Sequence, residues 1–325
     1  MTDLLKKLRE LGVISVQEKS KTWIHSGSYA LNKVISGDYT KGYPIPGIVE
    51  ISGESSSGKS IFLAHLFREA QKLGYYTKLE DAEGTWNDDF NKGFGVDPTK
   101  LLKNSDLNTL EDTFDSIFKT IMAIREENLT TPIIVGLDSL PVLPVKEEFE
   151  KSIKNEFESS QTLGMIRSKA VGNCLRNLHG LAYKHNVLFV IINQLRSKMA
   201  MFGSPDTRAA GGRSLEYYLT VGLKTIFSKH SGIIEDDNKF PKGIEGRVVN
   251  TKNKISIPYL ECDFSLDYMR GLDPLHGLLP WLVNDGRVIQ TGAWYSFEDK
   301  KFHAKEFPLL LQSEPKFSSL ISWKS

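Results

Sequence analysis

The chain has 325 residues, 41 Lys and Arg against 40 Asp and Glu for a formal charge of +1, and two cysteines. That length suits a core of about two hundred residues with one or two small satellites. The near-neutral balance excludes nucleic-acid binding by overall basicity, so any such binding has to come from local clusters.

Cys174 and Cys262 lack CxxC spacing and a nearby His, which argues against a disulfide framework and a zinc site. No signal-type apolar core and no run of roughly 20 apolar residues is present, so a soluble cytoplasmic protein without membrane contact is expected. In chain order, "MTDLLKKLRELGVI" puts Leu4, Leu5, Leu8 and Leu11 at helical spacing, predicting a short amphipathic helix whose apolar stripe needs a cover. A polar stretch, "SVQEKSKTWIHSGS", separates it from the next element, so packing on a neighbouring protomer is expected. From "GIVEIS" onward, β-branched runs alternate with helical stretches: "YYTKLEDAE", a helix around 110–127, "PIIVGLDS", a helix around 163–185, then "VLFVIINQ". That order predicts an α/β domain with a mostly parallel sheet. "YLTVGLKTIFS", "GRVVNTKNKIS" and "YLECDFSLDY" follow without helices between them and read as a later antiparallel portion of the sheet. Beyond Arg270, "GLLPWLVNDGRVIQTGAWYSFEDKKF" predicts a short helix and then a hairpin turning near Glu298 to Lys300, in a small C-terminal satellite.

"GESSSGKS", Gly53 to Ser60, fits the G-x-x-x-x-G-K-[ST] phosphate loop and lies between a strand-like run and the helical "IFLAHLFREAQKLG". The nucleotide-binding set is therefore Gly53, Glu54, Ser55, Ser56, Ser57, Gly58, Lys59 and Ser60, with Ile61 next in the chain. Backbone amides and the helix N-terminus cradle phosphates, Lys59 meets the β- and γ-phosphates, and Ser60 can hold Mg²⁺. Asp138, at the end of "IIVGLDS", can accept from a magnesium-bound water. "LEDAE" offers Glu80, Asp81 and Glu83 to orient an attacking water, and strand alternation forbids all three from facing the nucleotide. Spacing alone does not choose among them.

The segment "QLRSKMAMFGSPDTRAAGGRS", Gln194 to Ser214, carries Arg196, Lys198, Arg208 and Arg213 against a single Asp206, together with an apolar Met-Ala-Met-Phe cluster. Cationic groups supply sequence-independent affinity for nucleic acid, and apolar side chains can enter an unstacked step.

"GESSSGKS", "DAE", "LDS", "INQLRSKMAMFGSPDTRAAGG", "KNKI" and "GAWYS" stand in the order and approximate spacing of the bacterial RecA recombinases. The chain also resembles their phage relatives of the UvsX kind, the likeness covering roughly residues 25–300. The resemblance implies a RecA-like P-loop ATPase core of the α/β class at 31–270, an N-terminal oligomerisation segment at 1–30 and a small C-terminal α/β domain at 271–325. It makes Glu83 the residue that activates water, with Lys59 and Gln194 as its catalytic companions, Gln194 sensing the γ-phosphate. Phe90 falls where the family stacks an aromatic on adenine, and Lys252 and Lys254 where it reaches the nucleotide of the adjacent subunit.

The Gln194–Ser214 segment resembles the second DNA-binding loop of RecA. On that likeness, backbone amides around Gly211 and Gly212, with Arg196, Lys198 and Arg213, engage phosphates, while Met201 and Phe202 wedge between groups of bases. The first DNA loop is expected around Glu158 to Met165, leading into a helix on which Lys169 and Arg176 match DNA-contacting arginines. ATP and Mg²⁺ are the implied cofactors. The implied partners are single-stranded and homologous duplex DNA, further copies in a helical filament, and single-strand-binding and mediator proteins. The cytoplasm is that of a host if the chain is phage-encoded.

Departures from the family pattern are equally specific. Ile226 and Phe227 stand near basic positions of RecA's second DNA site, where Arg247 is kept and Val249 replaces a lysine; Lys224, Lys229 and His230 are the available substitutes. Glu216 replaces a basic interface residue, Arg213 an asparagine, and "SSLISWKS" carries no acidic tail of the autoinhibitory kind. Two rivals share the core: a hexameric helicase, which has no need of "MAMFGSPDTRAAGG", and a regulatory ATPase module, which has no need of both Lys59 and Glu83.

Overall fold

Three apolar runs dictate the centre of the molecule. Gly47–Gly53, Ile133–Asp138 and Val187–Gln194 are buried along almost their whole length, the pattern of parallel strands covered on both faces. The computed structural model describes residues 7–8, 21–128, 130–154, 160–197, 207–208, 212–227 and 232–322.

The strands in chain order are β1 (Thr22–Ile24), β2 (Tyr43–Ile45), β3 (Gly47–Gly53), β4 (Tyr76–Asp81), β5 (Leu101–Asn104), β6 (Ile133–Asp138) and β7 (Val187–Gln194). Then come β8 (Arg196–Ser197), β9 (Thr207–Arg208), β10 (Val221–Phe227), β11 (Ile233–Glu235), β12 (Pro241–Asn253), β13 (Glu261–Asp267) and β14 (Gly271–Leu272). Among the described residues the central sheet has ten strands, in the order β14-β13-β12-β10-β3-β7-β6-β4-β5, with β11 on β12. From β10 to β5 every pairing is parallel.

Strand alternation sorts the core into two layers. Val49, Ile51, Ile134, Val190 and Ile192 face the helix Lys59–Lys72 through Phe62, Leu63, Leu66 and Phe67. Ile48, Ile133, Val135, Phe189 and Ile191 face the other way, against Ile117 and Ile121 of the helix Leu110–Glu127 and Leu175 and Leu178 of the helix Ser160–His185. Each fully buried Leu, Ile or Phe contributes roughly 1.5–3 kcal/mol. Gly136 on β6 lets the Lys59–Lys72 helix lie close to the sheet, since a Cβ there would sit 2.7–2.9 Å from Leu63 and Phe67. That close approach sets the start of the helix beside the end of β6.

The sequence pattern assigned all three late strands to an antiparallel portion. The structure corrects the first of them: β10 pairs parallel with β3, Val221 opposite Val49, and antiparallel with β12. The connection from β7 closes with the helix Gly212–Tyr218, and such a crossover returns the chain parallel to its starting strand. The direction therefore reverses one strand later, between β10 and β12.

The expected first DNA loop is also altered. Residues 160–165 are the opening of the Ser160–His185 helix, while 158 and 159 lie outside the described residues. The predicted N-terminal helix falls mostly outside them too; residues 7 and 8 are helical. Ile24 and Ala30 share a buried cluster with β3, so packing runs across residue 30.

The C-terminal unit has the helix Leu278–Asn284 and the strands β15 (Ile289–Thr291), β16 (Trp294–Phe297) and β17 (Lys300–His303). The expected turn lies between β16 and β17, with Glu298 at φ 51°, and β15 adds a third strand. Leu278, Leu282, Phe302, Phe307 and Phe317 form its core together with Tyr39. The Tyr39 hydroxyl donates to Asp285 at 2.9 Å, and Lys33 pairs with the same carboxylate at 2.6 Å. No described helix is long and apolar enough to cross a membrane.

His65 joins the Lys59–Lys72 helix to β14. It is fully buried, its Nε2 accepts from the Leu272 amide at 2.8 Å, and burial pushes its pKa down to about 3 from 6.5. Below pH 6.5 the unfolded chain takes a proton that the folded imidazole refuses, so this group's contribution to stability falls as pH falls. The stability gap between wild type and His65→Gln is expected to shrink by about 2 kcal/mol between pH 6.5 and 5 in urea titrations. A gap independent of pH would mean that His65 takes up a proton in the fold as readily as in the unfolded chain.

Candidate active site

At the end of β3 the chain turns through Gly53–Gly58 into the Lys59–Lys72 helix. Gly58 caps that helix at φ 83°, a left-handed conformation that favours glycine. The loop is braced from within: Ser57 Oγ donates to the Glu54 carbonyl at 2.8 Å and lies 2.7 Å from Thr225 Oγ1 on β10. Lys59 and Ser60, the first residues of the helix, line a cavity of about 350 Å³, and a helix N-terminus is a ready anion site.

The cavity is lined by Ser55 to Ile61, Glu83, Phe90, Asp138, Gln194, Ile244 and Tyr268. Lys59 is buried, and its Nζ donates to the Glu54 carbonyl at 2.6 Å. Burial lowers its pKa, while Asp138, Glu83 and Glu54 favour its charge. Ser60 Oγ donates to Asp138 Oδ2 at 2.5 Å. Desolvation raises the Asp138 carboxyl to about 6, against the Ser60 hydrogen bond. This hydroxyl and carboxylate are a hard-oxygen pair that fits Mg²⁺, which completes its shell with water and phosphate oxygens in place of an all-protein cage. Among the described residues no cluster of three or more His, Cys, Asp or Glu side chains could hold a metal by itself.

The three acidic residues of "LEDAE" separate cleanly. Glu80 is fully buried against Lys78 at 3.1 Å and Ser116 at 3.0 Å. Asp81 accepts from the amides of Thr85 and Trp86 and shapes the turn. Glu83 alone of the three lines the cavity. Its position is fixed because the Ala82 and Glu83 amides both donate to the Asp138 carbonyl, at 2.7 and 3.2 Å. Its Oε1 accepts from Gln194 Nε2 at 2.6 Å and from Ser139 Oγ at 2.5 Å. Gln194 ends β7, and the next amide, Leu195, donates to the Gly53 carbonyl at 3.1 Å. The carboxylate, the phosphate loop and the start of the 195–211 segment are thereby in one hydrogen-bonded unit.

The remaining sequence-derived residues are spread more widely. Phe90 is half-exposed at the cavity rim, edge-on to Phe94 with centroids 4.8 Å apart. Lys252 and Lys254 do not line the cavity; their amines donate to the Glu216 and Tyr217 carbonyls, the second at 2.7 Å. Lys169 and Arg176 are exposed on the Ser160–His185 helix, and Arg176 Nε reaches the Tyr218 hydroxyl at 3.5 Å. Arg196 pairs with Arg208 in the β8–β9 ladder, and Gly212 and Arg213 open the Gly212–Tyr218 helix. Lys198, Met201, Phe202 and Gly211 lie outside the described residues. Arg247 is tied to Glu261 at 2.7 Å and Asp263 at 3.0 Å.

Sequence reasoning missed Ile244, Tyr268 and Ser139. The first two belong to the β12–β13 hairpin, which folds back over the phosphate loop so that Ile244 and Leu266 approach Gly58. No local spacing marks them.

A phosphate loop between a central parallel strand and its helix, with a carboxylate ending the second strand over, β6, defines a P-loop nucleotide-binding protein. The chain belongs to the RecA family: the family model described as RecA N-terminal domain matches residues 6–273. It is 31% identical to Protein RecA of Mycoplasma mycoides subsp. mycoides over 277 residues, 85% of this chain and 74% of that one. With Protein RecA of Aquifex aeolicus the identity is 30% over 288 residues, 88% of this chain and 77% of the relative. With that of Marinobacter nauticus it is 32% over 261 residues, covering 80% and 70%.

Proposed function

We propose that the protein is a DNA-dependent ATPase that forms filaments on single-stranded DNA and pairs it with homologous duplex in recombination, repair and recombination-dependent replication. The observation that carries this reading is the Gln194–Glu83 hydrogen bond. It joins the group best placed to activate water to the root of the cationic 195–211 segment. A γ-phosphate in the cavity competes for Gln194, and the exchange is felt at once by the segment that would hold DNA.

In the mechanism, Lys59 and the loop amides bind the β- and γ-phosphates, and Ser60 and Asp138 hold Mg²⁺, which supplies charge neutralisation. Glu83 orients water and takes its proton. Lys252 and Lys254 of the adjacent subunit complete the charge at the phosphates, so ATP favours assembly by its greater affinity for the assembled state. Hydrolysis removes that preference and the filament turns over. Single-strand-binding and mediator proteins are proposed partners, in the cytoplasm of the cell that makes the protein. With Arg247 engaged by two carboxylates, filament formation is better supported than completed strand exchange.

The test is ATP hydrolysis with and without single-stranded DNA, the products viewed by negative-stain microscopy. Strong stimulation with helical filaments supports the reading, whereas closed rings or DNA-independent turnover overturn it. Phe90→Ala is expected to raise KM for ATP by about tenfold with kcat within about twofold, because base stacking on an aromatic is uniform binding. Steady-state kinetics with ATP checks this, and an unchanged KM would place adenine elsewhere.

A further inference from the structure

Ser139 follows Asp138 at the end of β6, and the mechanism leaves it unused. It stands at the N-cap of the short 3₁₀ turn Leu140–Val142, where a serine hydroxyl ordinarily accepts a hydrogen bond from an amide two or three residues on. Ser139 makes no such bond. The Val142 amide goes to its carbonyl at 3.4 Å, and the hydroxyl, fully buried, donates instead to Glu83 Oε1 at 2.5 Å. A local structural use is thus given up for a contact 56 positions away in the chain.

That contact supplies what the backbone of the loop does not. The Ala82 and Glu83 amides on the Asp138 carbonyl fix the main chain, yet a glutamate side chain beyond it keeps much rotamer freedom. Only donors to the carboxylate itself remove that freedom. Two are present, Ser139 Oγ and, at 2.6 Å, Gln194 Nε2, and both reach Oε1, so Oε2 is the oxygen left to meet water in the cavity that Glu83 lines. The two donors differ in what holds them. Gln194 is half-buried at the end of β7, lines the cavity and is the group for which a γ-phosphate competes. Ser139 is buried, does not line the cavity, and has a short side chain on a backbone that continues β6 directly.

We propose that Ser139 is a positioning residue for hydrolysis: it keeps the Glu83 carboxylate aimed at the attacking water when the γ-phosphate draws Gln194 away. The proposal rests on Glu83 as the group that activates water, and it adds the residue that holds this group while the chemistry takes place. Alignment for attack is where small displacements cost most, so the bond contributes little to ATP binding and much to turnover.

The test is a double-mutant cycle on steady-state ATP hydrolysis, with Ser139→Ala, Glu83→Gln and the two combined. Ser139→Ala removes the donor without stranding its acceptor, because Glu83 Oε1 keeps the bond from Gln194. Expected is a fall in kcat of about 10- to 100-fold with KM for ATP within about twofold, and filaments unchanged by negative-stain microscopy. In the Glu83→Gln background the same change is expected to cost no more than about twofold, since a side chain that takes no proton has no aim to lose. Turnover of Ser139→Ala at the wild-type rate overturns the proposal. So does a KM that rises as kcat falls, or an equal loss in both backgrounds, either of which makes Ser139 part of the shape of the pocket.

Glu83→Gln at wild-type turnover would remove Glu83 as the base and Ser139 with it, whereas a slow Glu83→Gln beside an unaffected Ser139→Ala strikes Ser139 alone. If single-stranded DNA fails to stimulate wild type, the recombinase reading fails, while the cycle run on DNA-free turnover still judges Ser139.

Discussion

Replacing Glu83 by Gln is expected to lower ATP turnover by about 10²- to 10⁴-fold while leaving nucleotide-dependent assembly on single-stranded DNA intact. The substitution preserves the length of the side chain and one accepting oxygen, so the hydrogen bonds from Gln194 and Ser139 can persist. It removes the capacity to take a proton from water. The loop itself is held by the Ala82 and Glu83 amides on the Asp138 carbonyl, which the change does not touch. Steady-state hydrolysis and negative-stain microscopy on the same preparation separate the two effects. Loss of assembly in parallel with turnover would make Glu83 a structural residue of the loop. Unchanged turnover would pass the role of base to another group.

The phosphate loop and its flanking elements were legible because each signal is local. Gly58 has to adopt a left-handed conformation, Lys59 and Ser60 open a helix, and the preceding run is apolar enough to be a buried strand. The parallel core was legible for the same reason: β3, β6 and β7 read as continuous β-branched runs separated by helical stretches.

What the sequence left open depends on contacts between distant segments. Period-2 alternation said that Glu80, Asp81 and Glu83 cannot share a face, but the sorting required Lys78 and Ser116 to claim Glu80 and the Thr85 and Trp86 amides to claim Asp81. The direction of β10 was misread because strand propensity does not encode which neighbour a strand meets. Val221 opposite Val49 is a fact of the crossover, and β10 by itself is consistent with either direction. Ile244 and Tyr268 reach the cavity through the fold of the β12–β13 hairpin, and no motif announces them. The Gln194–Glu83 bond joins residues 111 positions apart, and only the adjacency of β6 to both β4 and β7 brings them together.

A mixing experiment is expected to show that the catalytic site spans two subunits. Lys252→Ala/Lys254→Ala and Glu83→Gln should each hydrolyse ATP at a small residual rate, and an equal mixture on single-stranded DNA should recover about a quarter of wild-type turnover. The fraction follows from a head-to-tail interface, in which each pocket meets the lysines of one neighbour. With random mixing, one in about four interfaces pairs an intact Glu83 with intact lysines. Geometry supports the arrangement: within one chain both amines are spent on the carbonyls of Glu216 and Tyr217, and neither lines that chain's own cavity. Those carbonyls are at an exposed helix end where water can replace the amines, so the double substitution costs little stability. Were the lysines to act only within their own chain, every pocket in the mixture would lack either Glu83 or its lysines. Turnover would then stay at the residual rate of the parents whatever the mixing ratio, because no interface could bring the missing group in from a neighbour.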